Sequence, residues 1–253
     1  MGFAKVMLLA VLLVLLCIFM PGGQTGMEEY VGMGAETGMP VTVDSLKETV
    51  RLRIAKMRSI GITEANEQVE EAVVEGCDGY PPELIENMFD GPHEMFKVDG
   101  IIFSYIGLGT YDYENWEWTP SSGQVYIFDM EVFNIGSMYT DFLHGVLALT
   151  GNDLTVTDVE EDCSEVDEEE GTGTQILRFK CNGTPYEFRG EAYYDWMDMK
   201  VIDFMNEVLK KEGIEKRLLA SFDGGQGCIL FYNTKEWGEE FEEVMGYELL
   251  NME

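Results

Sequence analysis

The chain has 253 residues, and its 48 acidic and 16 basic side chains give a formal net charge of −32. A hydrophobic fraction of 45% with 12% aromatic residues argues against disorder for most of it and allows one sizeable domain or two small ones. So negative a chain repels nucleic-acid phosphates and anionic headgroups, which speaks against a nucleic-acid partner; the charge reads as a solubilising surface, with attraction of a cationic partner as the alternative.

Lys5 precedes an unbroken apolar run from Val6 to Met20, closed by Pro21-Gly22-Gly23. A basic start, a short apolar stretch and a helix-breaking end form an export signal or signal anchor over residues 1–25. At 1.5 Å per residue the run reaches about 22 Å, short of a roughly 30 Å hydrocarbon core, so cleavage is favoured over anchoring. The expected location is extracytoplasmic, secreted or anchored by residues 6–20, with the membrane touched only through this segment. Val6 stands where a myristoylation motif needs Ser or Thr, and Cys17 lacks the preceding small residue of a lipoprotein signal. Residues 26–43, with Gly26, Gly32, Gly34, Gly38 and Pro40, read as a flexible tether.

Residues 44–120 read as a helical subdomain with an aromatic loop. A helix starts after Asp44, with Ser45 and Glu48 spaced as a capping box and Leu46, Val50, Ile54 and Met57 on one stripe. A second helix, capped by Thr63, ends at Gly76. The first carries Lys47, Arg51, Arg53, Lys56 and Arg58 and the second Glu64, Glu67, Glu70, Glu71 and Glu75, so the two are expected to pair as an antiparallel hairpin. The alternative is that the basic helix touches an anionic surface. Pro82 opens a short helix, Met95 to Leu108 reads as helical, and Tyr111 to Trp118 packs aromatics between acids. Trp116 and Trp118 are candidate ligand-stacking residues there, against the alternative of buried packing.

Residues 121–253 appear twice over in one pattern. Tyr126-Ile-Phe128-Asp-Met-Glu131-Val-Phe133 is echoed by Tyr186-Glu-Phe188-Arg-Gly-Glu191-Ala-Tyr193, and Asp141-Phe142-Leu143 by Asp203-Phe204-Met205. Each copy predicts strand, helix, strand, strand, with a final helix from Asn233 to Gly246. Asn182-Gly183 predicts a type I′ hairpin joining the copies. The fold class is therefore α+β, with tandem β-α-β-β units, a C-terminal helix and a helical subdomain in front. This order of elements resembles the duplicated strand-helix-strand-strand modules of gyrase-inhibitor-like ligand-binding domains, which implies a ligand-binding architecture and transfers no site residue.

Glu131 and Glu191 stand at matched strand positions, so a pseudo-two-fold fold would bring them near each other as ligand-binding candidates. The segment from Asp158 to Glu170 reads as a solvated, mobile acidic loop, or less favourably as a calcium site, since its spacing is not that of an EF-hand. Cys77, Cys163, Cys181 and Cys228 have neither CxxC nor metal-ligand spacing, and no metal or cofactor is expected. Asp223-Gly224-Gly225-Gln226-Gly227 lacks the Lys-Ser/Thr of a phosphate loop, and neither His93 nor His144 has a nucleophile motif beside it. The expected function is a non-catalytic exported or tethered module binding a small ligand or a protein; an envelope interaction protein is the alternative, and a hydrolase stands third.

Overall fold

The computed structural model describes residues 42–89, 94–112, 114–115, 117–132, 134–167, 169–222 and 226–251. The apolar leader, nearly all of the tether, His93, Trp116 and the turn at Asp223 to Gly225 lie outside the described residues. The protein is α+β, with helices alongside three small sheets. It divides into two compact units. Among the described residues, one comprises the chain from Thr42 up to Ile106 with Phe222–Gly227 and Glu239–Glu248, and the other Gly107–Ser221, Cys228–Gly238 and Leu249–Glu253.

In the first unit, α1 (Val43–Ser59) buries Leu46, Val50, Ile54 and Met57, the stripe its periodicity predicts. Its cap is Thr42, and Ser45, expected as the cap, stands at the third helical position. The Thr42 hydroxyl accepts from the Ser45 amide at 3.2 Å, while the Ser45 hydroxyl accepts from the Thr42 amide at 2.8 Å, so the box pairs these two residues and leaves Glu48 out. Likewise α2 (Glu67–Gly76) is capped by Asn66, whose side-chain Oδ1 accepts from the Gln68 and Val69 amides, and not by Thr63. Then come α3 (Pro82–Met88) and α4 (Glu94–Gly107).

Among the described residues Lys47, Arg53 and Arg58 of α1 form ion pairs inside this unit, and of these only Arg58 does so with α2. Arg58 lies 3.0 Å from Glu70, whereas Lys47 reaches Asp78 at 2.6 Å, beyond the end of α2. Arg53 turns inward to Asp99 on α4, donating through Nε to Oδ1 at 2.7 Å and through Nη2 to Oδ2, and Nη2 also donates to the Met245 carbonyl at 2.8 Å. Both partners are buried, Asp99 completely. The predicted helix-to-helix ladder is thus one pair, because Arg53 sits on the apolar stripe of α1 and finds its acid in the core.

The second unit holds the sheets. The aromatic stretch expected as a loop forms an antiparallel pair, β1 (Thr110–Asp112) with β2 (Glu117–Thr119). Next are β3 (Tyr126–Asp129), α5 (Met138–Thr150), β4 (Val156–Asp167), β5 (Thr172–Cys181), β6 (Thr184–Tyr193), α6 (Lys200–Lys211), β7 (Arg217–Phe222), β8 (Gly227–Asn233) and α7 (Lys235–Met245), of which the part from Glu239 onward belongs to the first unit. Two three-stranded sheets result, ordered β3-β8-β7 and β4-β5-β6. Each therefore takes the leading strand of one matched segment and the last two strands of the other. Asn182 and Gly183 have φ of 49° and 85°, the left-handed backbone that the two-residue β5–β6 turn requires.

The two matched helices are buried to different depths. Phe142 on α5 is fully buried, with Phe128 edge-on at 5.8 Å, whereas Phe204 on α6 is only partly buried, its ring 5.3 Å from Phe188 and 6.1 Å from Phe179.

Candidate functional site

The acidic segment expected as a mobile loop is strand β4, paired with β5 as far as Asp167↔Thr172. Two bulges, between Thr157 and Glu160 and between Asp162 and Glu165, each absorb an extra residue. They keep Thr157, Glu160, Asp162, Glu165 and Asp167 on one face while turning Glu161 to the other. A run of carboxylates can hold a strand here because β5 and β6 bring bases opposite it. Arg178 lies 3.2 Å from Asp162 and 2.8 Å from Glu187, Lys180 is 2.7 Å from Asp158, and Arg189 is 2.7 Å from Glu165.

Directly opposed residues in an antiparallel sheet share a face, so the outer face resolves into rows across β4, β5 and β6. At one end Thr157, Lys180 and Pro185 form a row, followed by Glu160, Arg178 and Glu187, then Asp162, Ile176 and Arg189. Each contains a base. The next row is Glu165, Thr174 and Glu191, and the last is Asp167, Thr172 and Tyr193, neither with a base of its own. The sheet is charge-compensated at one end, while the last two rows hold carboxylates of which only Glu165 is reached by a base of the face, Arg189.

Aromatic exposure is concentrated at the acidic end. Tyr193 is 64% and Tyr194 56% exposed, and their rings meet edge-on at 5.5 Å. Tyr194 has φ +52°, uncommon for a residue with a side chain, and its ring lies against Gly171, where a Cβ would fall 2.3 Å from Tyr194 Cδ1. Two amides fix the turn: Tyr194 donates to the Gly171 carbonyl and Gly171 to the Asp167 carbonyl, both at 2.8 Å. Asp167 Oδ1 accepts from the amides of the exposed Glu169 and Glu170 at 3.1 Å.

Beyond Tyr194 the chain folds back on the extension of β3. Trp196 bridges to both Tyr193 and Glu131, Val132 donates to the Asp195 carbonyl at 2.7 Å, and Met197 donates to the Met130 carbonyl at 2.8 Å. Glu131 and Glu191, both exposed, accordingly flank the 193–197 turn: one pairs across from Trp196, and the other sits two positions before Tyr193 on its face of β6. Trp118 belongs to a different setting. It is partly buried, donates through Nε1 to the Leu108 carbonyl at 3.0 Å and packs 5.1 Å from Tyr126, with Gly109 beneath it, so it serves packing and is not part of an exposed aromatic platform. Trp116 lies outside the described residues. The signal for Tyr193 and Tyr194 is present in the sequence, an aromatic pair closing an alternating strand, but it does not say which aromatics remain uncovered.

On the buried side of the sheet, Glu161 caps α5. Its carboxylate accepts from the Tyr139 amide at 3.0 Å, the Thr140 amide at 2.8 Å and the Thr140 hydroxyl at 2.7 Å, and from the Gln175 side-chain amide, which also donates to the Ile135 carbonyl. Burial pushes its carboxyl above the ordinary glutamate value. With its acceptor sites filled by helix-terminal donors, this group holds structure in place. Nearby, burial also raises the Tyr139 phenol, whose oxygen accepts from the Asp198 amide at 3.1 Å.

No protein family, curated protein or solved structure matches the chain. Among the described residues, no helix is long and apolar enough to cross a membrane, and no group of three or more His, Cys, Asp or Glu side chains could hold a metal ion. Cys77, Cys181 and Cys228 are buried, Cys163 is partly buried, and His144 is exposed on α5.

Proposed function

We propose that this is a non-catalytic binding module, exported or tethered through residues 6–20, whose contact surface is the acidic, aromatic end of the β4-β5-β6 sheet. The observation carrying this reading is the pair of exposed tyrosines at the one end of the sheet where no row contains a base. Tyrosine is enriched where proteins meet because it offers a large apolar ring and a polar tip, and exposed aromatics mark contact surfaces. Exposure of both rings favours a protein partner over a small ligand, which would be enclosed. The partly buried carboxylate Glu161 is saturated with hydrogen bonds, which supports a structural role for it and a non-catalytic module. We also read the two matched segments as a tandem duplication, supported by the reciprocal sharing of leading strands between the two sheets.

The test is photo-crosslinking in the protein's native cells, with the crosslinker at position 193 or at exposed Glu71. A discrete adduct from 193 alone, recovered in the extracytoplasmic fraction, is the expected outcome. No adduct, or the same adducts from both positions, overturns the binding reading; an adduct confined to the cytoplasm overturns export.

A further inference from the structure

We infer that the partner contacts the Tyr193–Tyr194 surface through a cationic stretch, a Lys/Arg-rich extended segment of another protein; this rests on the binding reading above. Charge complementarity at this end of the sheet points to such a partner. Arg178, Lys180 and Arg189 are the bases of the outer face, and each is engaged by carboxylates: Arg178 by Asp162 and Glu187, Lys180 by Asp158, Arg189 by Glu165. Among the described residues no Lys or Arg forms an ion pair with Asp167, Glu169, Glu170, Glu191 or Glu131. These carboxylates surround the two exposed rings, through the Asp167–Thr172–Tyr193 row, the turn that seats Tyr194 on Gly171, and the bridge from Glu131 through Trp196.

Such a surface discriminates. A ring face attracts a guanidinium or ammonium group, and the carboxylates around it repel anionic partners and steer cationic ones. An uncharged apolar partner would be left facing desolvated carboxylates. An extended segment fits because, at this end, Glu165 and Asp167 on β4 and Glu191 and Tyr193 on β6 stand two residues apart, the spacing at which alternate side chains of a facing strand would meet them. A chain this acidic attracts any polycation diffusely, so the inference concerns where binding occurs and whether the rings contribute.

The experiment titrates the full chain with a synthetic peptide of alternating Arg and Ser, and with a matched Glu and Ser peptide, following backbone amide shifts by NMR and affinity by calorimetry. Shifts from the Arg peptide should centre on residues 165–172, 191–198 and 130–132, and the Glu peptide should give none. Tyr193→Ser leaves the net charge unchanged and should weaken binding about three- to fivefold, the contribution of one exposed cation–π contact. A Glu71→Gln, Glu75→Gln variant removes charge elsewhere and should change it less than twofold. Shifts spread over the whole chain, or equal losses in the two variants, overturn the inference by showing a diffuse field; the shift map decides even if Tyr193→Ser is poorly folded. Absence of peptide binding together with a discrete in-cell adduct from position 193 overturns the cationic partner and leaves the binding module standing, whereas absence of both removes both.

Discussion

Arg53 and Arg178 show two ways in which a chain of net charge −32 uses its scarce bases. Arg53 is buried with one acid, Asp99, and a backbone carbonyl; Arg178 lies at the surface among Glu160, Asp162 and Glu187. The first arrangement has lost its water and depends on complete hydrogen bonding. The second keeps its water and acts by making a carboxylate-rich strand tolerable. The same pairing of residue types therefore fixes a core in one unit and permits an acidic sheet face in the other.

Removing a partner should separate them most sharply. Asp99→Ala leaves the Arg53 guanidinium buried without its acid and should cost about 3–5 kcal/mol in urea unfolding, with little dependence on salt, whereas replacing both residues with apolar ones of similar volume should restore most of the loss. A loss under about 1 kcal/mol would put Arg53 in the same class as Arg178.

Glu161 lies between the two extremes, a partly buried carboxylate held by helix amides. Glu161→Ala should cost about 1–3 kcal/mol by leaving those donors unmatched. Its raised carboxyl also carries a pH signature. A folded value above the unfolded one means that the native state takes up the proton more readily, so this group's contribution to stability improves as pH falls through the window just above 4.5. Glu161→Gln should flatten that slope, and an unchanged pH profile would show that the carboxylate is well solvated.

Arg178→Ala should lower Tm by no more than about 2–4 °C at low salt, and the difference should vanish in high salt, where exposed pairs are screened. A loss that survives salt would mean that the ladder is a desolvated network. The smallest effect is a titration. Hydrogen bonds from Ser164, and then Arg178, hold Asp162 down to about 2, so its contribution is present above 3.8 and is lost as pH falls through about 2. NMR should show the carboxyl rising toward 3.8 more in Ser164→Ala than in Arg178→Ala; the reverse order would make the arginine the main holder.

Much of the architecture is legible in the chain because burial is periodic. The stripe Leu46, Val50, Ile54 and Met57, the alternation of β6 and the Asn182-Gly183 turn each announce themselves locally. What escapes is non-local. Asp158 to Asp167 has the composition of a loop, and only bases on β5 and β6 together with two bulges make it a strand. Trp118 and Tyr193 look alike as aromatics beside acids, yet one is sealed by Gly109 and Leu108 and the other is open, a difference decided by tertiary packing. Phe142 and Phe204 share a sequence position but not a depth, since hydrophobic spacing fixes which side of a helix is apolar and leaves open how much covers it.

The carboxylate of Glu161 lies 22 residues downstream of the Tyr139 amide it caps, while the hydroxyl of Ser137, at the local cap position, donates to the Asp141 carboxylate and caps no helix amide. The first turn of α5 thus cannot be completed by its own neighbourhood and closes only when β4 has docked. Helix and strand should then behave as one cooperative foldon, in which the Tyr139 and Thr140 amides exchange with solvent on the timescale of the β4-β5 ladder and not on that of a fraying helix end. Assembly of this half of the protein becomes a single late, non-local event, with the acidic strand acting as the latch on the helix that precedes it.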